Sequence, residues 1–128
     1  MKFVYDTNIF IYHLNGGLDV ERYFSSDFFS NNKVYTSRIV RIELLSHPNL
    51  TPEKVFNIEK LFDLCDLISL TEPIEELTIY FRKQYKLKFP DAFVAATAYQ
   101  LSATLVTNNT KDFKNIPEVK IASPTRKK

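Results

Sequence analysis

Short apolar segments alternate with helical ones along this chain, and that alternation restricts the fold more than any other feature of the sequence. Five segments have the length and composition of strands: residues 2–6, 33–37, 66–70, 103–108 and 119–122. Between them, apolar residues recur at the three- and four-residue spacing of helices. Strands that alternate with helices form βαβ units. We therefore predict an α/β fold, a three-layer α/β/α sandwich around a mostly parallel five-stranded sheet.

Helical segments account for most of the remaining chain. Six helices are predicted, over residues 7–14, 19–30, 38–46, 51–64, 71–86 and 90–102. The fourth has the clearest start, because Thr51 is a good N-cap and Pro52 suits the first helical position. There is no internal repeat or linker, so residues 1–128 are predicted to form a single domain. Its basic end, residues 123–128, is predicted to be a flexible tail.

Composition excludes several classes of function. Only two glycines occur, Gly16 and Gly17, so the chain has neither a P-loop nor a dinucleotide-binding fingerprint. Lys plus Arg number 17 and Asp plus Glu 15, and a net charge of +2 does not by itself predict nucleic-acid binding. No apolar run reaches the roughly 18 residues of a membrane span. The lone Cys65 and the lack of a signal peptide predict a reducing, cytoplasmic setting.

Four carboxylates occupy positions that need an explanation. Asp6 comes where the first strand passes into the first helix, which suits an N-cap as well as a site at the carboxyl end of a strand. Glu43 falls on the helical stripe predicted to face the core, and its alternatives are a rim position or an ion pair. Asp91 opens an alanine-rich helix and Asp112 follows the fourth strand. A first-turn acid and a turn residue are their ordinary roles.

Together, the four acids predict a metal site. Asp6, Asp91 and Asp112 fall near one edge of a parallel sheet, and Glu43 is expected to point inward from a neighbouring helix. Clustered carboxylates raise one another's pKa, and a divalent cation relieves their repulsion. All-oxygen ligands suit Mg²⁺ or Mn²⁺, whereas one Cys and two scattered His do not suit zinc. Such a cation can polarise a phosphodiester and activate water for its hydrolysis.

The motifs YDTN, RIELL, KFPDAFVAATA and VTNNTKDF follow one another in this order. Their order and spacing resemble the PIN-domain nucleases, and most of all the VapC-type toxins of bacterial toxin–antitoxin pairs. The resemblance extends from the first strand to the fifth. It implies a ribonuclease that uses Mg²⁺ or Mn²⁺ to hydrolyse RNA. It also implies a homodimer and a cognate antitoxin that holds the enzyme inactive.

The resemblance assigns roles to individual residues by motif position. Asp6 and Asp91 match the main metal ligands, and Glu43 matches the second acid of the family. Asp112 matches the less regular fourth acid, which some relatives carry at the position of Asn109, so either residue completes the site. Polar residues that are expected to orient the acids or the water are Thr7, Asn8, Thr107 and Asn109. Cations that are expected to balance the substrate phosphates are Arg38, Arg41, Lys86, Lys88 and Lys111.

Some features keep two interpretations. Tyr85 and Phe89 could stack on a base, although core packing is favoured. The aromatic segment at residues 22–30 belongs to the core or forms a surface for self-association or antitoxin binding, with the core favoured. The whole chain could instead be a non-catalytic module that binds RNA or a partner. Such a module would have no need of four mutually repelling acids.

Overall fold

A sheet of five parallel strands forms the centre of the molecule. The computed structural model describes residues 1–124. Its strands are β1 (Lys2–Tyr5), β2 (Lys33–Ser37), β3 (Asp66–Ile68), β4 (Thr104–Val106) and β5 (Ile121–Ala122). Their order is β3-β2-β1-β4-β5, and each neighbouring pair is parallel. Helices flank the sheet, which confirms the predicted α/β class.

The helices agree with the predicted ones except in two places. They are α1 (Thr7–Leu14), α2 (Ser26–Asn31), α3 (Arg38–Leu45), α4 (Pro52–Phe62), α5 (Glu72–Tyr85), α6 (Phe89–Leu101) and α7 (Thr110–Phe113). The helix predicted over residues 19–30 was wrong, because a 3₁₀ helix (Leu18–Phe24) is followed by the separate α2. The short α7 was not predicted. None of the helices within residues 1–124 is long and apolar enough to cross a membrane.

The predicted flexible tail falls mostly outside the described part of the chain. Residues 125–128 are not described, and Ser123 and Pro124 follow β5 without regular secondary structure. The tail therefore stays a prediction.

The middle strand β1 is the centre of the core. Phe3, Val4 and Tyr5 are all buried, as expected for a strand that has neighbours on both sides and helices on both faces. The aromatic rings of Tyr23 and Phe28 pack against Phe3, with ring centroids 6.4 and 5.0 Å from it. Both residues are buried, so this part of the aromatic segment belongs to the core, as favoured.

The alanine-rich helix α6 is buried on every side. All seven residues from Ala92 to Ala98 are buried, and the helix contacts α5, β1 and β4. A helix that is apolar all round belongs in the interior. Small side chains let its backbone approach the sheet closely, and this fixes the position of its first turn, where Asp91 lies.

The predicted orientation of α3 was wrong. Its buried residues are Val40 and Leu44, whereas Ile42 is 58% exposed and Glu43 is also exposed. Glu43 therefore lies on the solvent side of the helix. It points into a cleft at the end of the sheet and not into the core.

Candidate active site

The candidate site lies where β1 and β4 end. Tyr5 and Val106, the last residues of these two strands, are paired neighbours in the sheet. The residues that follow them, Asp6 and Thr107, are therefore adjacent although 101 positions separate them in the chain. Ligands of parallel α/β sheets bind outside the carboxyl ends of the strands. This edge of the sheet is where such a site is expected.

Asp6 is both the N-cap of α1 and a buried carboxylate of this site. Its Oδ1 accepts the backbone N–H of Thr7 at 2.8 Å. Its Oδ2 accepts the Thr107 hydroxyl at 2.9 Å and the Asn8 amide at 3.1 Å. Burial raises the pKa of Asp6 above its ordinary value, and the nearby Glu43 carboxylate raises it further, although these hydrogen bonds oppose the shift.

Polar residues after the two strands tie β1 to β4. The Asn8 amide group also donates to the Thr107 hydroxyl at 3.2 Å, and the Asn8 oxygen accepts the backbone N–H of Asn108 at 3.1 Å. The backbone N–H of Asn109 donates to the Thr107 hydroxyl at 3.0 Å. This network holds the Asp6 carboxylate in a single orientation, and it unites the residues that the resemblance predicted as orienting groups.

Glu43 reaches the same place from α3. Its Oε1 accepts the Thr7 hydroxyl at 2.6 Å, a short bond of the kind that a carboxylate forms. The hydroxyl therefore holds an otherwise exposed side chain against the N-terminus of α1. Glu43 and Asp6 are thus joined through Thr7, which donates a hydrogen bond to each of them.

Asp91 enters from the first turn of α6 and is half-buried. Burial, together with the nearby carboxylates of Asp6, Asp112 and Glu43, raises the pKa of Asp91 to about 6. Lys88 opposes the shift. Since each of the other three acids affects the pKa of Asp91, the structure brings all four predicted acids into one electrostatic environment.

The residues of the site line two adjoining cavities. The acidic cleft, of about 210 Å³, is lined by Asp6, Thr7, Asn8, Ile11, Glu43, Pro90, Asp91 and Asn109. The lysine pocket, of about 300 Å³, is lined by Tyr85, Lys86, Leu87, Lys88, Asp91, Lys111, Asp112, Asn115 and Ile116. Asp91 belongs to both. Asn109 therefore faces the acidic cleft, whereas Asp112 faces the lysine pocket and accepts the Asn109 amide at 3.0 Å.

A larger cavity, of about 620 Å³, lies elsewhere on the molecule. It is found at the opposite, amino-terminal end of β1 and β4, beside Lys2 and Thr104. Its lining contains a single carboxylate, Glu118, so it lacks the clustered acids that the predicted chemistry needs.

The oxygen ligands of the acidic cleft suit a hard divalent cation. Within residues 1–124, no three side chains of the His, Cys, Asp and Glu types are grouped closely enough to hold a metal ion. Mg²⁺ commonly binds through one or two carboxylates and keeps several waters, and Asp6 with Asp91 could supply such a pair. Zinc is poorly suited. Burial raises the pKa of the Cys65 thiol to about 12, and Cys65 lines neither cavity.

The predicted substrate-binding cations fall into two groups. Lys86, Lys88 and Lys111 line the lysine pocket. Arg41 instead forms an ion pair with Glu59 at 2.7 Å, and the Arg38 guanidinium donates to the Ser69 hydroxyl at 3.2 Å. Neither arginine lines the acidic cleft or the lysine pocket.

Sequence reasoning missed the residues that complete these cavities. Ile11 and Pro90 line the acidic cleft, and Asn115 and Ile116 line the lysine pocket. It also missed Glu118, which accepts the hydroxyls of two tyrosines of α5. Pro90 stands next to Asp91 in the sequence and could have been inferred. The loop residues carry no local signal, because only the fold brings them to α5.

The fold and the site define an α/β protein with an acidic, oxygen-rich cleft at the carboxyl ends of its middle strands. A model of the PIN domain family matches residues 3–119, so the chain belongs to the PIN domain family. It is 29% identical over 127 residues to ribonuclease VapC2 of Rickettsia felis, an alignment that covers 93% of this chain and 95% of that protein. It is 27% identical over 129 residues to ribonuclease VapC of Rickettsia bellii.

Solved structures agree with this assignment. The crystal structure of VapBC2 from Rickettsia felis bound to a promoter DNA fragment contains a chain that is 27% identical, with a TM-score of 0.80. The match covers 96% of this chain and 98% of that one. A toxin–antitoxin complex from Klebsiella pneumoniae contains a chain that is 26% identical, with a TM-score of 0.78 and coverage of 97% and 98%.

Proposed function

We propose that this chain is a metal-dependent endoribonuclease that hydrolyses phosphodiester bonds of RNA and serves as the toxin of a toxin–antitoxin pair. One observation carries the proposal. Asp6, Glu43 and Asp91 line one small cleft, and none of them has an ion-pair partner among residues 1–124. Unpaired carboxylates in one cleft favour a bound cation. The names of the relatives, which are ribonucleases of the VapC type, support RNA as the substrate.

Each residue of the cleft has a proposed role. A bound Mg²⁺ or Mn²⁺ would offset the charge of a phosphodiester and make water a stronger nucleophile. Asp6 and Asp91 would hold the cation, and the hydrogen bonds from Asn8 and Thr107 orient the Asp6 carboxylate in its absence. Glu43, held by Thr7, orients the attacking water.

Asn109 and Asp112 lie where the acidic cleft meets the lysine pocket. Asn109 lines the acidic cleft, and Asp112 accepts its side-chain amide from the adjoining lysine pocket. Asn109 therefore closes the far side, and Asp112 fixes the orientation of its amide.

The proposed partner is a cognate antitoxin, which binds the toxin in the cytoplasm. The similar chain from Klebsiella pneumoniae belongs to a toxin–antitoxin complex, which supports such a partner. A groove of about 580 Å³ between α1, α3 and α4 offers apolar side chains: Ile11, Leu14, Leu44, Leu50 and Ile58. Ile11 lines both this groove and the acidic cleft, so a segment bound in the groove would reach the cleft. We also propose that the chain forms a homodimer.

The experiment is cleavage of total RNA by the purified chain with Mg²⁺, with Mn²⁺ or with EDTA. Asp91→Asn removes a charge from the acidic cleft, and Asp63→Asn makes the same change at the exposed end of α4 as the matched control. We expect discrete fragments that require the metal, persist in Asp63→Asn and disappear in Asp91→Asn. Equal cleavage by both variants would contradict the assignment of the site.

The alternative, a non-catalytic module that binds RNA, gives a different result. The wild-type protein would then bind RNA and leave it intact with either metal. Isothermal titration calorimetry with Mn²⁺ also distinguishes the ribonuclease from the module. The ribonuclease should release heat on binding Mn²⁺ that is lost in Asp91→Asn, whereas a module without a metal site should show no such difference.

A further inference from the structure

We propose that the lysine pocket binds the RNA phosphate next to the scissile one, so that Lys86, Lys88 and Lys111 set the path of the strand through the site. The inference rests on the proposed function. It adds a second binding position for the same substrate, on the α6 side of the acidic cleft.

The location of the pocket fits this role. Asp91 lines both cavities, so the lysine pocket begins where the acidic cleft ends. A strand whose scissile phosphate faces Asp6 and Asp91 would therefore have an adjacent nucleotide within reach of the pocket. Its volume of about 300 Å³ is at the lower end of the range for small-ligand sites. The pocket thus fits a single nucleotide unit better than a folded RNA element.

The charges of the pocket are available for a ligand. Its lining holds three lysines against two aspartates, whereas the acidic cleft holds three carboxylates and no cation. Within residues 1–124 none of the three lysines forms an ion pair, because the one ion pair there joins Arg41 to Glu59. The lysine ammonium groups can therefore offset a phosphate charge that the acidic cleft would repel.

Lys86 has an unusual backbone conformation. Lys86 ends α5 with φ 56° and ψ 36°, a left-handed conformation in which glycine is the usual residue. Its N–H donates to the Arg82 carbonyl at 2.9 Å, and the Arg82 side chain donates to the Leu87 carbonyl at 3.3 Å. A lysine here costs free energy that glycine would not. The side chain of Lys86 lines the pocket.

The walls of the pocket are held in place before any ligand binds. The hydroxyls of Tyr85 and Tyr80 donate to the two carboxylate oxygens of Glu118, at 2.6 and 2.7 Å. These bonds join the end of α5 to the loop before β5, and that loop supplies Asn115 and Ile116 to the opposite wall. A preformed site loses less entropy when it binds its ligand.

Binding of a labelled single-stranded RNA octamer tests the proposal, measured by fluorescence anisotropy between about 50 and 200 mM salt. All proteins carry Asp6→Asn, so that the RNA stays intact. Lys86→Gln, Lys88→Gln and Lys111→Gln each remove one charge from the pocket. Lys83→Gln and Lys114→Gln make the same change at exposed positions that line neither cavity.

We expect each pocket variant to raise Kd by about three- to tenfold and to lower the salt slope by about 0.7, the value for one phosphate contact with a single strand. The two control variants should stay within about twofold of the parent, because they remove charge without removing a contact. An equal loss in pocket and control variants would overturn the proposal in favour of diffuse attraction.

A second measurement uses small phosphate ligands in place of RNA. Inorganic phosphate and adenosine 5′-monophosphate are titrated into the wild-type protein while backbone amide signals are followed by NMR. We expect shifts at residues 85–88 and 111–116 with the nucleotide, and their absence would overturn the proposal. If the wild-type protein cleaves RNA and the lysine variants bind it normally, only the pocket assignment fails. If the nucleotide binds but RNA is neither bound nor cleaved, the assignment to RNA fails together with the proposed function.

Discussion

Asp6 combines a structural and a proposed catalytic role in one carboxylate. As the N-cap of α1 it accepts the Thr7 N–H, and as a member of the acidic cleft it accepts the Thr107 hydroxyl and the Asn8 amide. These donors stabilise the charged form, and burial beside Glu43 opposes it. Asp91 differs, because no described residue donates a hydrogen bond to its carboxylate.

This difference predicts that replacing each aspartate by the uncharged asparagine changes the free energy of unfolding by a different amount. Asp91→Asn should stabilise the metal-free protein, since it removes repulsion and gives up no hydrogen bond. The gain for Asp6→Asn should be about 1 kcal/mol smaller, because an amide has a single acceptor oxygen and cannot replace both Oδ1, which accepts from Thr7, and Oδ2, which accepts from Asn8 and Thr107. The measurement is urea unfolding of both variants and the wild type in EDTA. A larger gain for Asp6→Asn would show that the hydrogen bonds of Asp6 contribute little.

A pH dependence follows from the raised pKa of Asp91. Because this pKa is about 6 in the folded protein and near its ordinary value when unfolded, the folded state holds the proton more tightly. The corresponding stabilisation is complete below the unfolded pKa and is lost as pH rises through about 6. The Tm of the metal-free wild type should therefore fall relative to that of Asp91→Asn between pH about 4 and 7. A constant difference across this range would contradict the raised pKa.

The orientation of Glu43 could not be predicted correctly from the sequence. Its spacing from Ile39 and Ile42 indicated an inward face, but the helix buries Val40 and Leu44 instead. The choice between two apolar stripes is made by the tertiary structure. α3 follows β2 directly, and the Ser37 hydroxyl that caps it fixes the rotation of its first turn. Glu43 nevertheless lies near the other acids, since Thr7 and the acidic cleft lie on the exposed side of the helix.

At the scale of elements, two helices end in the same strained way. Lys86 at the end of α5 and Ser102 at the end of α6 are the two non-glycine residues with positive φ among residues 1–124. Such C-caps satisfy the last carbonyl groups of a helix, and glycine adopts the conformation without steric cost.

Replacement by glycine should therefore stabilise the protein at both positions, by about 1 kcal/mol each. Only Lys86→Gly should also weaken RNA binding, since Ser102 lies at the opposite end of α6, away from the lysine pocket. Chemical denaturation measures the change in stability, and fluorescence anisotropy measures the change in RNA affinity. Loss of RNA affinity in Ser102→Gly would count against a specific role for Lys86.

The close packing of α6 gives another prediction. Ala95 is fully buried, so Ala95→Leu should destabilise the fold by about 1–3 kcal/mol through overpacking. Since α6 carries Asp91, we also expect cleavage to fall more than the folded fraction does. Gln100→Leu, near the exposed end of the same helix, is the matched control and should leave both properties close to those of the wild type. Thermal unfolding and RNA cleavage measured on the same samples test this.

The elements themselves were mostly predictable, and the exceptions have local causes. The bounds of α1 and of β2 agree with the predicted ones because each has strong signals at both ends. The predicted helix over residues 19–30 fails at Ser25, whose hydroxyl caps a new helix by accepting the Phe28 N–H. The four-residue α7 is too short to give a periodic pattern, and its residues suit a turn equally well.

At the scale of the whole molecule, the parallel sheet explains why the site could be anticipated at all. The order β3-β2-β1-β4-β5 places the ends of β1 and β4 side by side, so Asp6 and Thr107 meet whatever the details of the helices. Alternating strands and helices are sufficient to predict this edge. The lysine pocket could not be predicted in the same way. It depends on a contact between Tyr85 and Glu118, and no periodic pattern connects these residues.

The central position of β1 also has a consequence for the order of events during synthesis. β1 is synthesised before β4, its neighbour on one side, which begins at Thr104. The growing chain therefore carries Asp6 long before Thr107 and Asp91 are available to it. Under the proposed function, the acidic cleft assembles only after β4 and the residues that follow it have been synthesised, so a partly synthesised chain is not yet a nuclease.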